Sequence, residues 1–247
     1  MLPSQGREAS SILVSRSVFM IKLIVFDWDD VITHGAKDGY FKCYHEAMIG
    51  VNAHLDPVEE RKRILAKWSK PHTEELKELL KEHPELVEKA VKIYETHLFG
   101  DTYVNTQTEV KGVNNFLLRL KEKYILTVAT GAHPKILKEK VIPKFKIPDV
   151  FAEIISSYDI TDPEKRKPHP YMIQKMMQDQ KVTPEESIFV GDAKTDIEMA
   201  RAAGVIPVAV LTGHMSIKDA EELKVKYIIP DVTHLERVLE KIKNSGF

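Results

Sequence analysis

The stretch Lys22-Leu-Ile-Val-Phe-Asp-Trp-Asp-Asp30 places four apolar residues directly before three carboxylates. A short apolar run rich in β-branched residues is typical of a strand that is buried on both faces of a sheet. Carboxylates packed this closely repel one another unless a cation or a proton-transfer role compensates them. An ordinary acidic turn would give the same residues, so a functional interpretation needs partners elsewhere in the chain.

Similar apolar runs recur along the rest of the chain and alternate with helical patterns. The further predicted strands are residues 124–129, 152–155, 187–190, 206–211 and 226–229. Strands that alternate with helices imply crossover connections and a parallel sheet with both faces covered. We therefore predict an α/β fold with a Rossmann-like, mostly parallel sheet and helices on both of its faces.

Residues 35–108 break this alternation, because helical patterns follow one another there with no strand between them. We predict an inserted all-helical module over this range. Residues 1–19 read as a leader that need not be ordered, since they lack an apolar core long enough for a secretory signal. The predicted core then comprises residues 20–34 and 109–247.

Composition excludes several classes of function. The 247 residues include 36 Lys and Arg against 37 Asp and Glu, a formal net charge of −1, so we expect neither a nucleic acid nor a membrane surface as partner. No apolar run approaches the roughly 18 residues of a membrane span. A single cysteine, Cys43, cannot form an internal disulfide, which favours a reducing cytoplasm.

Three more polar signals follow predicted strands or precede a predicted helix. Thr130 and Gly131 directly follow the strand predicted over residues 124–129, where a hydroxyl and exposed N–H groups can hold phosphate oxygens. Lys167, stiffened by the proline after it, could neutralise an anionic substrate. Asp192 ends another strand, and Asp196 lies about one helical turn beyond it. Each signal alone also has an ordinary structural explanation: a turn, a surface lysine or a helix cap.

Taken together and in this order, the four signals resemble the haloacid dehalogenase superfamily, whose members are mostly aspartate-nucleophile phosphatases. The resemblance covers about residues 20–34 and 109–247. Residues 198–212, where Ala-Arg-Ala-Ala-Gly-Val runs into a strand, are similar to the phosphoglycolate-phosphatase-like branch. The helical insert occupies the position of the cap domain in that branch.

The resemblance implies a role for each carboxylate. Asp27 would attack phosphorus as the nucleophile, and Asp29 would act first as general acid and then as general base. Mg²⁺ would be held by Asp27, by the backbone carbonyl of Asp29 and by Asp192. Asp196 would help to ligate the ion or to position Lys167.

The resemblance also implies a phosphate cradle formed by the Thr130 hydroxyl, the Gly131 N–H and Lys167. Two positions depart from the common pattern: Asp30 stands where many relatives have Gly, and Val31 where many have Thr. Neither departure removes a catalytic group. We expect Asp30 to be a turn or helix-start residue and do not assign it to the metal.

The expected function is a Mg²⁺-dependent phosphatase that acts on a small phosphorylated metabolite through an aspartyl-phosphate. An acidic residue at Asp29 argues against a dehalogenase, because that subgroup does not usually carry one there. A sugar-phosphate mutase of the same superfamily and a non-catalytic phospho-ligand-binding domain are the alternatives. The sequence leaves open the substrate, the cap residues that select it and the oligomeric state.

Met20 immediately precedes the first strand, so we expect the functional chain to begin there. Deletion of residues 1–19 should leave folding and activity intact, because no predicted core element is removed. Circular dichroism and a phosphate-release assay on the truncated and full chains would check this. Loss of either property in the truncated chain would refute the expectation.

Overall fold

The computed structural model describes residues 20–66 and 70–245. The predicted leader over residues 1–19, and the hypothesis that it is dispensable, lie outside the described residues. The predicted helical module over residues 35–108 includes three residues, 67–69, that also lie outside the described residues. In the described part of the chain, no helix combines the length and the apolar character that crossing a membrane requires.

Eight strands form two sheets in the described residues. In chain order they are β1 (Leu23–Phe26), β2 (Thr33–His34), β3 (Thr108–Glu109), β4 (Ile125–Thr130), β5 (Phe151–Ser156), β6 (Ser187–Gly191), β7 (Ile206–Val210) and β8 (Tyr227–Ile229). The larger sheet has the order β5-β4-β1-β6-β7-β8, and all its pairs are parallel. The predicted α/β architecture is confirmed.

Twelve α-helices, besides short 3-10 helices, accompany the strands in the described residues. Five precede β3: α1 (Ala36–Gly50), α2 (Pro57–Ala66), α3 (His72–Leu79), α4 (Val87–Phe99) and α5 (Thr102–Thr106). The others are α6 (Val113–Lys121), α7 (Pro134–Ile136), α8 (Ile142–Phe145), α9 (Tyr171–Gln180), α10 (Lys194–Ala202), α11 (Ile217–Glu222) and α12 (Leu235–Ser245). A π-helical turn links α7 to α8.

Strand β1 is central because its two faces contribute to two different apolar clusters. Ile24 and Phe26 belong to the cluster that includes α6 and α12, whereas Leu23 and Val25 belong to the one that includes α9 and α10. Successive side chains of a strand point to opposite faces, so a strand between two helical layers must be apolar at every position. This explains the unbroken run of apolar residues in the sequence.

The helical insert is joined to the sheet through a small ribbon. Strands β2 and β3 pair antiparallel, with Thr33 opposite Glu109 and His34 opposite Thr108. The chain therefore leaves the core and returns to it at neighbouring points. Neither this ribbon nor α5 is predicted by the sequence pattern, because two-residue strands and a five-residue helix are too short to show a period. The assignment of residues 35–108 as a separate domain stays a prediction.

Adjacent leucines on α6 offer a test of the packing. Leu117 is fully buried against the sheet, whereas Leu118 is 48% exposed. Leu117→Ala should lower the free energy of unfolding by about 2–5 kcal/mol, because it leaves a cavity in the core. Leu118→Ala should change it by less than about 0.5 kcal/mol.

Denaturant unfolding of both variants would measure this difference. The residue type, the replacement and the helix are the same, so intrinsic helix propensity cancels in the comparison. Equal destabilisation by the two substitutions would contradict the packing of α6.

Candidate active site

The candidate site forms where β1, β4 and β6 end beside one another. Parallel strands have their carboxyl ends at one edge of the sheet, so the residues that follow these three strands converge. Asp27 follows β1. Its backbone N–H donates to the Val190 carbonyl of β6 at 2.8 Å, which fixes its position. Thr130 closes β4, and Asp192 follows β6. The signals that the sequence places at separate strand ends therefore lie together.

A buried lysine connects two of the predicted carboxylates. The Lys167 ammonium lies 3.0 Å from Asp27 Oδ2 and 2.8 Å from Asp196 Oδ1, and its side chain is fully buried. Burial by itself would lower the pKa of Lys167, but the charges of Asp196 and Asp27 outweigh it and hold the pKa above its ordinary value. Lys167 is therefore a fixed positive charge beside Asp27.

Asp196 uses both carboxylate oxygens within the protein. Oδ1 accepts from Lys167, while Oδ2 accepts from the backbone N–H groups of Asp192 and Ala193, each at 3.1 Å. Gly191 allows this approach, because a Cβ there would lie 2.4 Å from Asp196 Oδ2. These bonds orient Asp196 towards Lys167.

Asp192 is held by a loop that follows β7. Its Oδ2 accepts from the His214 N–H at 2.9 Å, and its carbonyl accepts from the Met215 N–H at 2.8 Å. The loop can come this close only because residue 213 is Gly: a Cβ there would lie 1.8 Å from Asp192 Oδ2. No sequence signal marks Gly213, since its role depends on a contact with a distant strand end.

The carboxylates of Asp27, Asp192 and Asp196 form the part of the described structure that could hold a metal ion. One oxygen from each lies within 4.8 Å of the other two, and all three residues are buried. Burial, followed by the charges of Asp196 and Asp27, raises the pKa of Asp192 well above its ordinary value. A divalent cation would offset this repulsion, so the oxygen donors fit Mg²⁺.

Asp29 is held by two tyrosines of the insert. The Tyr103 hydroxyl donates to Oδ1 at 2.8 Å, and the Tyr40 hydroxyl donates to Oδ2 at 2.9 Å. Burial and the charge of Asp27 raise the pKa of Asp29 to about 7, although the two hydrogen bonds act in the opposite direction. Sequence reasoning missed both tyrosines, because only the folded insert brings Tyr103 to Asp29.

Asp30 lies in the turn after β1, borders the cavity, and contacts the start of α1 through its side chain. Its φ of 57° lies in the left-handed region that favours glycine. The side chain offsets this cost by accepting from the N–H groups of Gly35 at 2.7 Å and Lys37 at 2.9 Å, at the start of α1. Its carbonyl accepts from the Thr212 hydroxyl.

Thr130 and Gly131 occupy different positions relative to the cavity above the site. Gly131 lines the cavity together with Asp27, Asp29 and Asp192. Thr130 is fully buried, and its hydroxyl oxygen accepts from the Ala132 N–H at 3.1 Å. Thr130 therefore shapes the turn that presents the Gly131 backbone.

The insert closes over the cavity through polar contacts with the core. The Lys37 ammonium donates to the Gly213 carbonyl at 3.1 Å, and the Lys70 ammonium donates to the Lys167 carbonyl at 3.1 Å. The His72 N–H donates to the Tyr158 hydroxyl at 3.1 Å. Both the insert and the core therefore contribute walls to one cavity.

Known proteins resemble this chain over most of its length. The family model described as haloacid dehalogenase-like hydrolase matches residues 21–204. Glyceraldehyde 3-phosphate phosphatase of Pyrococcus furiosus is 29% identical over 240 residues, which cover 91% of this chain and 95% of that protein. Phosphoglycolate phosphatase of Pasteurella multocida is 28% identical over 153 residues, which cover 62% of this chain and 66% of the relative.

A solved structure shows the same fold at lower identity. The β-phosphoglucomutase of Clostridium difficile superposes with a TM-score of 0.68 at 21% identity, covering 92% of this chain and 98% of that one. The family model covers well over half of the chain. The chain therefore belongs to the haloacid dehalogenase-like hydrolase family and has phosphoglycolate phosphatases among its relatives.

Proposed function

We propose that this protein is a Mg²⁺-dependent phosphatase that hydrolyses a small phosphorylated metabolite through an aspartyl-phosphate intermediate. The observation that carries the proposal is the position of Asp27, which lines the cavity 3.0 Å from the Lys167 ammonium and next to Asp192. Two relatives are named as phosphatases of small phosphorylated metabolites. The family membership favours the same class of reaction here.

Asp27 is the proposed nucleophile. One of its oxygens, Oδ1, accepts from the Trp28 N–H at 2.7 Å, while Oδ2 lies beside Lys167. Attack of an Asp27 oxygen on phosphorus forms the aspartyl-phosphate and breaks the bond between phosphorus and the leaving alcohol oxygen. The fixed contacts of Asp27 reduce the reorganisation needed before attack.

Asp29 is the proposed general acid and base. It faces the same cavity as Asp27, two residues further along the chain. Its carboxyl group donates a proton to the departing alcohol oxygen, and it then takes a proton from the water that attacks the aspartyl-phosphate. The second step releases inorganic phosphate and restores the Asp27 carboxylate. Tyr40 and Tyr103 orient the group through both steps.

Asp27, Asp192 and the backbone carbonyl of Asp29 are the proposed Mg²⁺ ligands. The ion, when bound, supplies positive charge that offsets the repulsion between the Asp27 carboxylate and the phosphate. Asp196 is assigned to positioning Lys167, whose ammonium donates to its Oδ1 at 2.8 Å.

The Gly131 N–H and the Lys167 ammonium are the proposed phosphate cradle, and the Thr130 hydroxyl, which the sequence places in it, holds the turn that presents Gly131. Gly131 lines the cavity directly, while Lys167 stabilises negative charge from behind Asp27. We also propose a cytoplasmic location, because the one cysteine in the sequence, Cys43, cannot form an internal disulfide.

Replacement of the nucleophile tests the proposal directly. Asp27→Asn should lower kcat for phosphate release from p-nitrophenyl phosphate by more than about 10³-fold, because an amide cannot form the covalent intermediate. Asp38→Asn is the matched control, since Asp38 lies on the nearby helix α1 with its side chain 70% exposed. Steady-state kinetics on the three proteins would measure the difference.

Full phosphatase activity in Asp27→Asn would make the nucleophile assignment wrong. The two alternatives give different signatures with the unmodified protein. Isomerisation of a hexose phosphate without net phosphate release would establish a mutase, and binding of phosphate esters with no turnover would establish a phospho-ligand-binding domain.

Removal of the metal provides a separate prediction. Treatment with a chelator should abolish activity, and added Mg²⁺ should restore it. Gly213→Ala should raise the Mg²⁺ concentration needed for half-maximal activity at least about tenfold, because the new Cβ would displace the Asp192 carboxylate. A titration of activity against Mg²⁺ concentration, with Asp38→Asn as control, would show the shift. An unchanged Mg²⁺ requirement in Gly213→Ala would count against Asp192 as a ligand.

A further inference from the structure

Glu75 carries a carboxyl group that faces the cavity and that the proposed reaction does not use. It lies on α3 of the insert, lines the same cavity as Asp27, and is only 4% exposed. Among the described residues, no hydrogen bond or ion pair reaches this carboxyl group. Burial raises its pKa well above the ordinary value. Glu75 therefore meets the cavity as a neutral group that can both donate and accept a hydrogen bond.

A buried carboxyl group without a partner lowers the stability of the folded protein. The group loses its hydrogen bonds to water on burial, and at Glu75 no described group replaces them. An apolar side chain of similar length at this position would avoid that loss. Such local conflicts are expected at functional sites, where a ligand supplies the missing partner. The place of Glu75 in the cavity lining therefore points to a ligand group that bonds to it.

Phenol groups surround Glu75 in this lining. Burial raises the pKa of Tyr94 and of Tyr158, and the charge of ionised Glu75 contributes to both shifts, so the three groups are neighbours. Tyr94 lines the cavity, and in the part of the chain that the structure describes its hydroxyl has no hydrogen-bond partner. The Tyr158 hydroxyl, by contrast, accepts from the His72 N–H at 3.1 Å. A ligand group at Glu75 would therefore also meet the Tyr94 hydroxyl.

Lys70 adds a cation to the same lining. Its ammonium donates to the Lys167 carbonyl at 3.1 Å, which uses one of its three N–H donors. Ammonium, phenol and protonated carboxyl groups can all donate to an oxygen atom, whether that atom belongs to a hydroxyl or to a carboxylate. An apolar ligand group would leave these polar groups unpaired. The lining around Glu75 therefore suits a ligand group that carries oxygen.

We infer that Glu75 binds the leaving alcohol, so that the protein prefers phosphate monoesters whose alcohol carries a second oxygen-bearing group over monoesters whose alcohol is otherwise apolar. The inference rests on the proposed phosphatase function, since it concerns the leaving group in the same cavity. A hydroxyl and a carboxylate both meet the requirement. Glu75 is then a specificity-determining residue whose presence costs stability in the ligand-free protein.

Three probes of equal carbon number test the substrate preference. Glycerol 3-phosphate carries two further hydroxyl groups, 3-phosphoglycerate carries a hydroxyl and a carboxylate, and n-propyl phosphate carries neither group. With Mg²⁺, the kcat/KM of the unmodified protein should be at least about tenfold higher for the better oxygenated probe than for n-propyl phosphate, because an apolar alcohol leaves the polar lining unpaired. The better of the two oxygenated probes identifies the group that is bound.

Substitutions connect this preference to Glu75. Glu75→Met replaces the carboxyl group by an unbranched apolar chain and should lower the ratio of the two kcat/KM values about tenfold. Glu75→Gln keeps hydrogen-bonding capacity and should restore most of the ratio. Tyr94→Phe keeps the ring and removes the hydroxyl, so it should lower the ratio as well. The intrinsic reactivity of each probe is the same for every variant and cancels in the comparison.

The stability of the ligand-free variants gives an independent readout. Glu75→Met should raise the denaturant concentration at the midpoint of unfolding, because it removes the unpartnered carboxyl group. A carboxyl group with a merely structural role would give a lower midpoint instead. Glu78→Met is the matched control, since Glu78 lies one turn along α3 and pairs with Lys81 at 3.3 Å. It should leave the ratio unchanged and should not raise the midpoint.

The outcomes separate this inference from the proposed function. Hydrolysis of n-propyl phosphate as efficient as that of both oxygenated probes, an unchanged ratio in Glu75→Met, or a lower unfolding midpoint in that variant would each overturn the assignment of Glu75 alone. Release of phosphate from p-nitrophenyl phosphate would still support the phosphatase in that case. Failure to release phosphate from any of the four probes would overturn the proposed function itself.

Discussion

The ion pairs between Lys167 and two aspartates constrain the rest of the molecule. A fully buried ammonium is tolerated only where carboxylates meet it, and here Asp27 and Asp196 do so at 3.0 Å and 2.8 Å. These groups come from the end of β1, from the chain before α9 and from the first turn of α10. These three groups can therefore meet only when the strands are correctly paired and the helices on one face of the sheet are packed against it.

The insert completes the site that the sheet begins. The core supplies Asp27, Asp192 and the backbone of Gly131, but the hydroxyl groups bound to Asp29 come from Tyr40 and Tyr103 of the insert. The surroundings of Asp29 thus depend on closure of the insert. Movement of the insert would therefore change two things together: access to the cavity and the orientation of the Asp29 carboxyl group that faces it.

The sequence predicts the sheet and the strand-end polar residues because both leave local patterns. The run before Asp27 shows burial on two faces, and the glycine beside Asp192 marks the end of β6. The contacts that hold these residues have no such pattern. Tyr103 meets Asp29 across 74 positions, and Gly213 matters only because Asp192 lies against it. Such pairs are properties of the tertiary fold, which a single sequence does not encode in any local window.

The ribbon of β2 and β3 has a consequence for how this protein could diversify. Its paired strands bring the two ends of the insert next to each other, with His34 opposite Thr108. The chain between the two strands therefore forms a closed loop on the sheet. The entropic cost of closing such a loop rises only slowly with its length. A different set of helices could replace the present ones at these two points without shifting the register of the parallel strands. The helical insert can therefore vary to suit different leaving alcohols. The parallel sheet, which positions the groups around the phosphate, stays unchanged.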